Sequence, residues 1–139
     1  MSESNFWALL RSKLDIGIMY RVENRVMSGM PDVHFIKDGV SGWIELKYMK
    51  EWPKKRTPVG LKLSQAYWLE KYAENGGRCW ILIRIGRDFI GLAPGKHAKR
   101  LYENPSKDEF VSLLSFIKRG NMMKGDWESL AKVIIQKST

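Results

Sequence analysis

The hydrophobic and polar positions in the first half of the chain follow a helical period once and a strand period three times. Apolar residues from Phe6 to Leu14 recur at helical spacing, which predicts an amphipathic helix over residues 4–14. Apolar and polar residues then alternate, which predicts strands at residues 17–24, 32–36 and 43–49. The segment at residues 37–42, with Asp-Gly near its start, is typical of a hairpin turn between the last two strands.

The second half predicts a helix, two strands and further helices. A segment with Pro53, Pro58 and Gly60 is expected to be an irregular loop. Ser64 is the expected N-cap of a helix that ends near residue 75, before two glycines. The nearly continuous apolar run at residues 78–85 predicts a buried central strand, and residues 89–93 predict an edge strand. Helices are expected at residues 106–119 and, capped by Asp126, at residues 126–137.

This order of elements, α-β-β-β-α-β-β followed by helices, predicts an α/β domain with a mixed β-sheet. A chain of 139 residues is long enough for one domain with its own hydrophobic core. We expect residues 1–95 to form the core of the fold. Residues 96–139 are expected to form a C-terminal helical extension packed on the same single domain.

Composition excludes several classes of protein. No apolar run approaches the roughly 20 residues that span a bilayer, and the polar, acidic N-terminus is not a secretory signal. Cys79 is the only cysteine, which excludes internal disulfides and a zinc site built from cysteines. We therefore expect a cytoplasmic protein with no membrane partner, and the small size suits a phage enzyme acting in the host cytoplasm.

The net charge of +9 favours a polyanionic partner. Residues 47–62 carry six basic side chains against Glu51, so more than half of the net charge lies in one segment. Such a run is often only solvated surface, but this one also contains an aromatic ring, which can stack on an unpaired base while cations bind phosphates. The expected DNA-binding residues are Lys50, Trp52, Lys54, Lys55, Arg56 and Lys62, with Arg21, Arg25, Arg84 and Arg87 widening the footprint.

Charged side chains share one face of the two hairpin strands. Residues two apart in a strand point the same way, so Glu45 and Lys47 share a face while their neighbours point into apolar packing. The short hairpin makes the strands antiparallel, so that Asp32 can converge on Glu45. Two neighbouring carboxylates repel unless a cation lies between them, and Mg²⁺ prefers such oxygen ligands. The ion would activate water at a phosphate, and Lys47 would orient that water or stabilise the transition state.

The same residues resemble a known signature. Pro31-Asp32 with Glu45-Leu46-Lys47 downstream resembles the motif of the PD-(D/E)xK nuclease superfamily. The lead-in SGMPDV at residues 28–33 and LSQAYWLEKYAENGG at residues 63–77 resemble its VRR-Nuc and Holliday junction resolvase branches. The resemblance covers residues 3–92 and implies a restriction-endonuclease-like fold, in which a mixed sheet is flanked by helices.

The resemblance also implies a set of metal ligands. Asp32 and Glu45 match the metal-binding carboxylates, and the backbone carbonyl of Leu46 would be a further ligand. Many relatives add a glutamate from the first helix; Glu3 is the expected counterpart and Glu23 its rival. The expected cofactor is Mg²⁺, for which Mn²⁺ is expected to substitute.

By the same resemblance, Lys47 matches the catalytic lysine and Gln65 the glutamine that supports the active site. Each of these residues has a structural alternative. Glu45 and Lys47 would suit a solvated strand face, Asp32 a turn, and Gln65 a polar first turn of a helix. His34 is better explained as an exposed strand histidine than as a general base.

Two apolar stripes near the C-terminus have two interpretations. Phe110, Leu113, Leu114 and Ile117 form one stripe, and Trp127, Leu130, Val133 and Ile134 form the other. Both could pack on the sheet, or both could form the interface of a homodimer, which two symmetric cuts across a junction would require.

These patterns predict a magnesium-dependent DNA endonuclease that hydrolyses phosphodiester bonds in branched DNA, as a Holliday junction resolvase does. A second hypothesis keeps the chemistry but places it at DNA ends, nicks, flaps or specific duplex sites. A third is a catalytically inactive, basic DNA-binding protein, although such a protein would not need to retain Asp32, Glu45 and Lys47 together.

Overall fold

The computed structural model describes residues 2–23, 27–57 and 59–136. Predictions that involve Asn24, Arg25, Pro58 and Lys137 lie outside these residues. The strands are β1 (Ile18–Arg21), β2 (Val33–Lys37), β3 (Val40–Met49), β4 (Cys79–Ile85), β5 (Phe89–Pro94) and β6 (Phe116–Arg119). The helices are α1 (Glu3–Lys13), α2 (Leu63–Glu74), α3 (Ala98–Tyr102), α4 (Lys107–Ser112) and α5 (Lys124–Ile135), with a short 3-10 turn at Gly95–His97. Within these ranges, no helix is long and apolar enough to cross a membrane.

The strands form one mixed sheet in the order in which they occur along the chain, β1-β2-β3-β4-β5-β6. All neighbouring pairs are antiparallel except β3 and β4, which are parallel. A parallel pair needs a crossover connection. It is provided by α2 together with the segment between β3 and α2, residues 50–62, called the basic loop below. The predicted α/β fold with a mixed sheet is confirmed, and β4 is the buried central strand that the sequence predicted.

Two apolar clusters cover the two faces of the sheet. The first contains side chains of α1 and α5 packed on the face that carries Ile44 and Leu46. The second contains side chains of α2, α3 and α4 packed on the face that carries Ile81 and Ile83. The stripe on α5 is thus buried in the chain's own core, as the packing interpretation predicted.

The prediction of one helix over residues 106–119 is wrong, and so is that of β5 as an edge strand. The helix ends at Ser112, and Ser115 N then donates to Leu92 O at 2.7 Å, where β6 begins to pair with β5. Both faces of β5 are buried, so its outer backbone groups need a strand partner rather than water. The C-terminal segment therefore adds a sixth strand as well as helices.

The helix starts differ by one or two residues from the prediction, and in α2 and α5 the third helical residue, not the N-cap side chain, does the capping. α1 begins at Glu3, where the Ser2 side chain accepts from Asn5 N at 3.2 Å. Asp126 is not the N-cap of α5 but its third residue, and it accepts from Met123 N at 2.8 Å. α2 likewise begins before Ser64, with Lys62 as its N-cap.

Candidate active site

The register of the β2–β3 hairpin brings two carboxylates together. Val33 pairs with Ile44, so the preceding residue, Asp32, lies opposite Glu45 where the two strands separate. Asp32 Oδ1 accepts a hydrogen bond from Leu46 N at 3.1 Å, so the carboxylate takes the role that a backbone carbonyl of β2 has within the paired part of the hairpin. Asp32 is 2% exposed and Glu45 3% exposed. Such burial of two neighbouring carboxylates is costly unless cations or hydrogen bonds compensate for it.

Lys47 lies beside Glu45 on the same face of β3, as the alternation predicted. Glu45 is paired with Ile81 and Lys47 with Ile83 on β4, on the face that α2 covers. Lys47 Nζ is 3.3 Å from Glu45 Oε2. The two side chains therefore do not form a solvated strand face, because only 13% of the lysine side chain and 4% of the glutamate side chain are exposed.

Gln65 links these two residues to the first turn of α2. Its Nε2 donates to Glu45 Oε2 at 3.0 Å, while its Oε1 accepts from Lys47 Nζ at 3.1 Å and from Lys62 N at 3.0 Å. A flipped amide would place its NH₂ group against two donors, so the partners fix one orientation. Gln65 is thus both a capping residue and a contact of Glu45 and Lys47.

A glycine allows the loop before Asp32 to pack against that same helical turn. Gly29 has φ of +82°, and a Cβ atom at this position would lie 2.1 Å from Ser64 O. Only glycine combines this backbone conformation with so close an approach. The lead-in of the Pro-Asp motif therefore helps to position Gln65 beside the carboxylates.

Arg21 on β1 is a member of the site that the sequence assigned only to the wider DNA footprint. Its Nη2 lies 3.7 Å from Asp32 Oδ2 and 3.5 Å from Glu3 Oε1. The structure thus places Glu3 near Asp32, with the guanidinium between them. Glu23, its rival, is exposed and lies beyond the end of β1. The register of β1 against β2, which sequence periodicity does not specify, brings Arg21 here.

The side chains present fit a hard divalent cation. Asp32 and Glu45 provide two buried carboxylates at facing positions, and two carboxylates with carbonyl and water oxygens are a usual set for Mg²⁺. In the part of the chain that the structure describes, no three acidic, histidine or cysteine side chains converge on a metal position. The participation of Glu3 and of the Leu46 carbonyl stays a prediction.

The basic loop after β3 is fixed at its middle and presents cations on its surface. Arg56 Nη1 donates to Asn104 O at 3.1 Å, and Thr57 N donates to Pro105 O at 3.0 Å. The cationic residues of this loop and of the α2 N-cap are exposed: Lys50, Lys54, Lys55, Arg56 and Lys62.

Trp52 has a different environment from these cations. Its ring contacts Phe89 at 4.8 Å and Phe110 at 6.0 Å between centroids, and Lys107 Nζ lies 5.3 Å from it. It is half-buried and joins the second apolar cluster. These contacts assign Trp52 to holding the loop on the domain, whereas stacking on a base stays a prediction.

His34 is half-buried rather than exposed, because aromatic rings flank it. The ring centroid of Tyr20 lies 5.3 Å away and that of Trp43 4.8 Å away. Burial lowers the pKa of His34. These contacts favour a packing role over that of a general base.

Of the comparisons with known proteins, only the one with solved structures informs the fold. No protein-family model matches the sequence, and no curated protein matches it significantly. Among solved structures, the chain is similar to Hjc, a Holliday junction resolvase from the archaeal hyperthermophile Archaeoglobus fulgidus. The TM-score is 0.55 at 16% sequence identity, and the match covers 91% of this chain and 96% of Hjc. The predicted resemblance to Holliday junction resolvases is therefore confirmed at the level of fold: this chain has a restriction-endonuclease-like fold similar to that of Hjc.

Proposed function

We propose that this protein is a magnesium-dependent endonuclease that hydrolyses phosphodiester bonds in branched DNA. The observation that carries the proposal is the linked set formed by Asp32, Glu45, Lys47 and Gln65 within an Hjc-like fold. A structural role alone does not require a lysine, a glutamine and two carboxylates to be buried together, because apolar residues of similar size would pack at lower cost.

Each side chain of this set has a chemical role in the proposal. Asp32 and Glu45 would hold Mg²⁺, with Mn²⁺ able to replace it. When bound, the ion would supply an activated water and neutralise charge on the phosphate. Lys47 would place its ammonium group at the reacting phosphate and stabilise the negative charge that develops there. Gln65 positions Lys47 and Glu45 and is not itself expected to contact the reacting atoms.

The distribution of charge supports DNA as the substrate. Lys50, Lys54 and Lys55 immediately follow the candidate active site, and within the described ranges none of them forms a salt bridge. Their side chains are thus available to bind phosphates on either side of the reacting bond. Branched DNA is the favoured substrate because Hjc, a resolvase, has a similar fold.

A homodimer would suit this substrate, since two symmetric cuts need two sites. The α5 stripe is buried within the chain, so we assign the interface elsewhere. Ile18 on β1 is 67% exposed and pairs with Ile36 on β2, which is 42% exposed; Tyr67 on α2 is 65% exposed. Ile18 and Ile36, which are paired across β1 and β2, form an exposed apolar patch of the kind that a second copy of the chain would cover.

The dimer is tested by substituting Ile36→Glu and measuring mass in solution by light scattering. Met123→Glu is the matched control, because Met123 is 65% exposed but lies before α5. We expect the first variant to be monomeric and the second to be dimeric. A monomeric wild type, or a dimeric Ile36→Glu variant, would contradict this interface.

The nuclease is tested by incubating labelled four-way junction, flap and linear duplex DNA with Mg²⁺ or EDTA. Wild type is compared with Asp32→Asn and Lys47→Ala, and with Asp15→Asn and Lys71→Ala as controls on the exposed surface. We expect paired cuts in the junction that EDTA and either site substitution abolish. Cleavage of the flap or duplex instead would favour the second hypothesis, and binding without any cleavage would favour a DNA-binding protein.

A further inference from the structure

Arg84 is a buried arginine that has no acidic partner among the described residues. It lies on β4 and is 8% exposed. Its Nε donates to Gly86 O at 3.0 Å, and its guanidinium carbon lies 6.0 Å from the centroid of the Phe6 ring. Its Nη1 is buried and has no hydrogen-bond partner among the described residues, and no carboxylate there forms a salt bridge with Arg84.

In the described part of the chain, no carboxylate influences Arg84. Burial lowers the pKa of Arg84, and the nearby cation Arg87 lowers it further, while Tyr48 opposes this shift. Arg87 and Lys50 are exposed. Burying an unpaired charge is costly, and a guanidinium with an unused N–H group is a preorganised donor for an anion.

The position of Arg84 relates it to the candidate active site. Arg84 pairs with Tyr48 on β3, and the preceding pair joins Ile83 to Lys47. Neighbouring strands are about 4.8 Å apart. Lys47 points to the α2 face, whereas Arg84 and Phe6 lie on the α1 face, so the two cations flank the same end of β3 from opposite sides.

We infer that Arg84 binds a backbone phosphate of the DNA next to the one that is hydrolysed. A DNA strand that crosses the end of β3 would bring one phosphate to Lys47 and a neighbouring phosphate to Arg84, with Arg87 and Lys50 adding charge at the rim. Because packing fixes the position of the guanidinium, unlike that of the exposed lysines of the basic loop, this contact sets the register of the DNA strand in the site. This inference rests on the proposed function for its ligand.

The test is the affinity for a labelled four-way junction in EDTA, measured by fluorescence anisotropy over a range of salt concentrations. Arg84→Met removes the charge and retains the length of the side chain. We expect it to bind about tenfold more weakly, since a charge-assisted hydrogen bond is lost. The slope of log K against log salt should fall by about 0.9, the value for one phosphate contact. Arg84→Lys should retain the slope and recover part of the affinity.

Arg78→Met is the matched control. Arg78 is also partly buried, but it donates to the carbonyl oxygens of Ile134 and Gln136 near the other end of β4. This variant should keep both affinity and salt slope. Thermal unfolding separates a binding role from a structural one: removal of an unpaired buried charge should leave the Tm of Arg84→Met equal or higher, whereas a structural arginine would lower it.

An unchanged affinity and slope in Arg84→Met would overturn the inference, and so would a wild type that does not bind the junction. If Arg84→Met does not fold, Arg84→Lys decides alone, because a phosphate contact predicts weaker binding at an unchanged slope. Because cleavage does not occur in EDTA, a wild type that binds DNA but does not hydrolyse it in Mg²⁺ would contradict the proposed function and leave the role of Arg84 intact.

Discussion

Gln65 and Glu45 are joined by a hydrogen bond of 3.0 Å from the side-chain amide of α2 to the carboxylate of β3. The same amide accepts from Lys47 Nζ through its other end. Glu45 and Lys47 therefore have their relative positions set by a residue outside their own strand. A neutral amide can do this for both an anion and a cation, because it has a donor and an acceptor.

We expect Gln65→Met to lower kcat about a hundredfold with little change in KM, because a small displacement of a reacting group has an effect of this size. Steady-state cleavage of the junction measures it. Gln136→Met is the control, since Gln136 is the only other glutamine and is exposed. A positioning role would be contradicted if KM and kcat fell together, or if kcat did not change.

Metal binding should stabilise the fold. We expect Mg²⁺ to raise the Tm of the wild type in the absence of DNA, since a ligand at 100 times its Kd adds about 2.7 kcal/mol to the free energy of unfolding. Asp32→Asn should show no such rise, and Asp15→Asn should show all of it. An equal rise in Asp32→Asn would place the ion elsewhere.

Gly29→Ala should destabilise the protein by about 2 kcal/mol more than Gly39→Ala. Both glycines have a left-handed backbone, with φ of +82° and +81°, but a Cβ at Gly39 meets nothing within 4 Å, whereas one at Gly29 meets Ser64 O at 2.1 Å. Chemical denaturation measures both. Equal losses would show that the contact with α2 adds no constraint.

Trp52→Ala should lower the free energy of unfolding by about 3 kcal/mol, in the range for a large aromatic side chain that packs in a core. Its contacts with Phe89 and Phe110 are the reason. Lys54→Ala, in the same loop, should leave stability unchanged. A stable Trp52→Ala variant with weak binding of single-stranded DNA would instead support base stacking.

Cys79 should not react with a thiol reagent at pH 8 until the protein unfolds. Burial raises the pKa of Cys79 to about 12, and its Sγ donates to Leu69 O at 3.2 Å. The unfolded thiol ionises near 9.0, so its contribution to stability is present below pH 9 and is lost as the pH rises towards 12. Ellman's reagent, with and without guanidinium, gives the reaction rates.

The sequence was sufficient for the parts of the fold and site that depend on local pattern. Alternation alone gave the correct faces for Glu45 and Lys47, and a short hairpin leaves only one way for Asp32 to approach Glu45. Gln65 followed from the family resemblance rather than from its own pattern. The structure then gave it a physical reason through its three hydrogen bonds.

Parts that depend on long-range contacts were not predictable. The apolar residues from Phe110 to Ile117 fit one continuous helix, but they also fit a short helix followed by a turn and a strand. The second arrangement is selected by pairing of β6 with the outer edge of β5, a long-range contact. Arg21 reaches Asp32 only through the pairing of β1 with β2. Trp52 is predicted to contact DNA because it lies among the cations of the basic loop, and its packing against Phe89 and Phe110 is not foreseeable because both are far away in the sequence.

The crossover from β3 to β4 keeps the cations of the basic loop apart from the side chains of the candidate active site. Glu45 and Lys47 lie before the basic loop, and Gln65 lies after it. Gly86 N donates a hydrogen bond to the carbonyl of Met49 at 2.7 Å where the loop begins, and Leu61 is buried where the loop ends. Under the proposed function, insertions or substitutions at the exposed cations between these anchors would alter DNA binding while Glu45, Lys47 and Gln65 keep their positions. Variation within this crossover would then be a route by which substrate preference diverges while the chemistry at β3 and α2 stays the same.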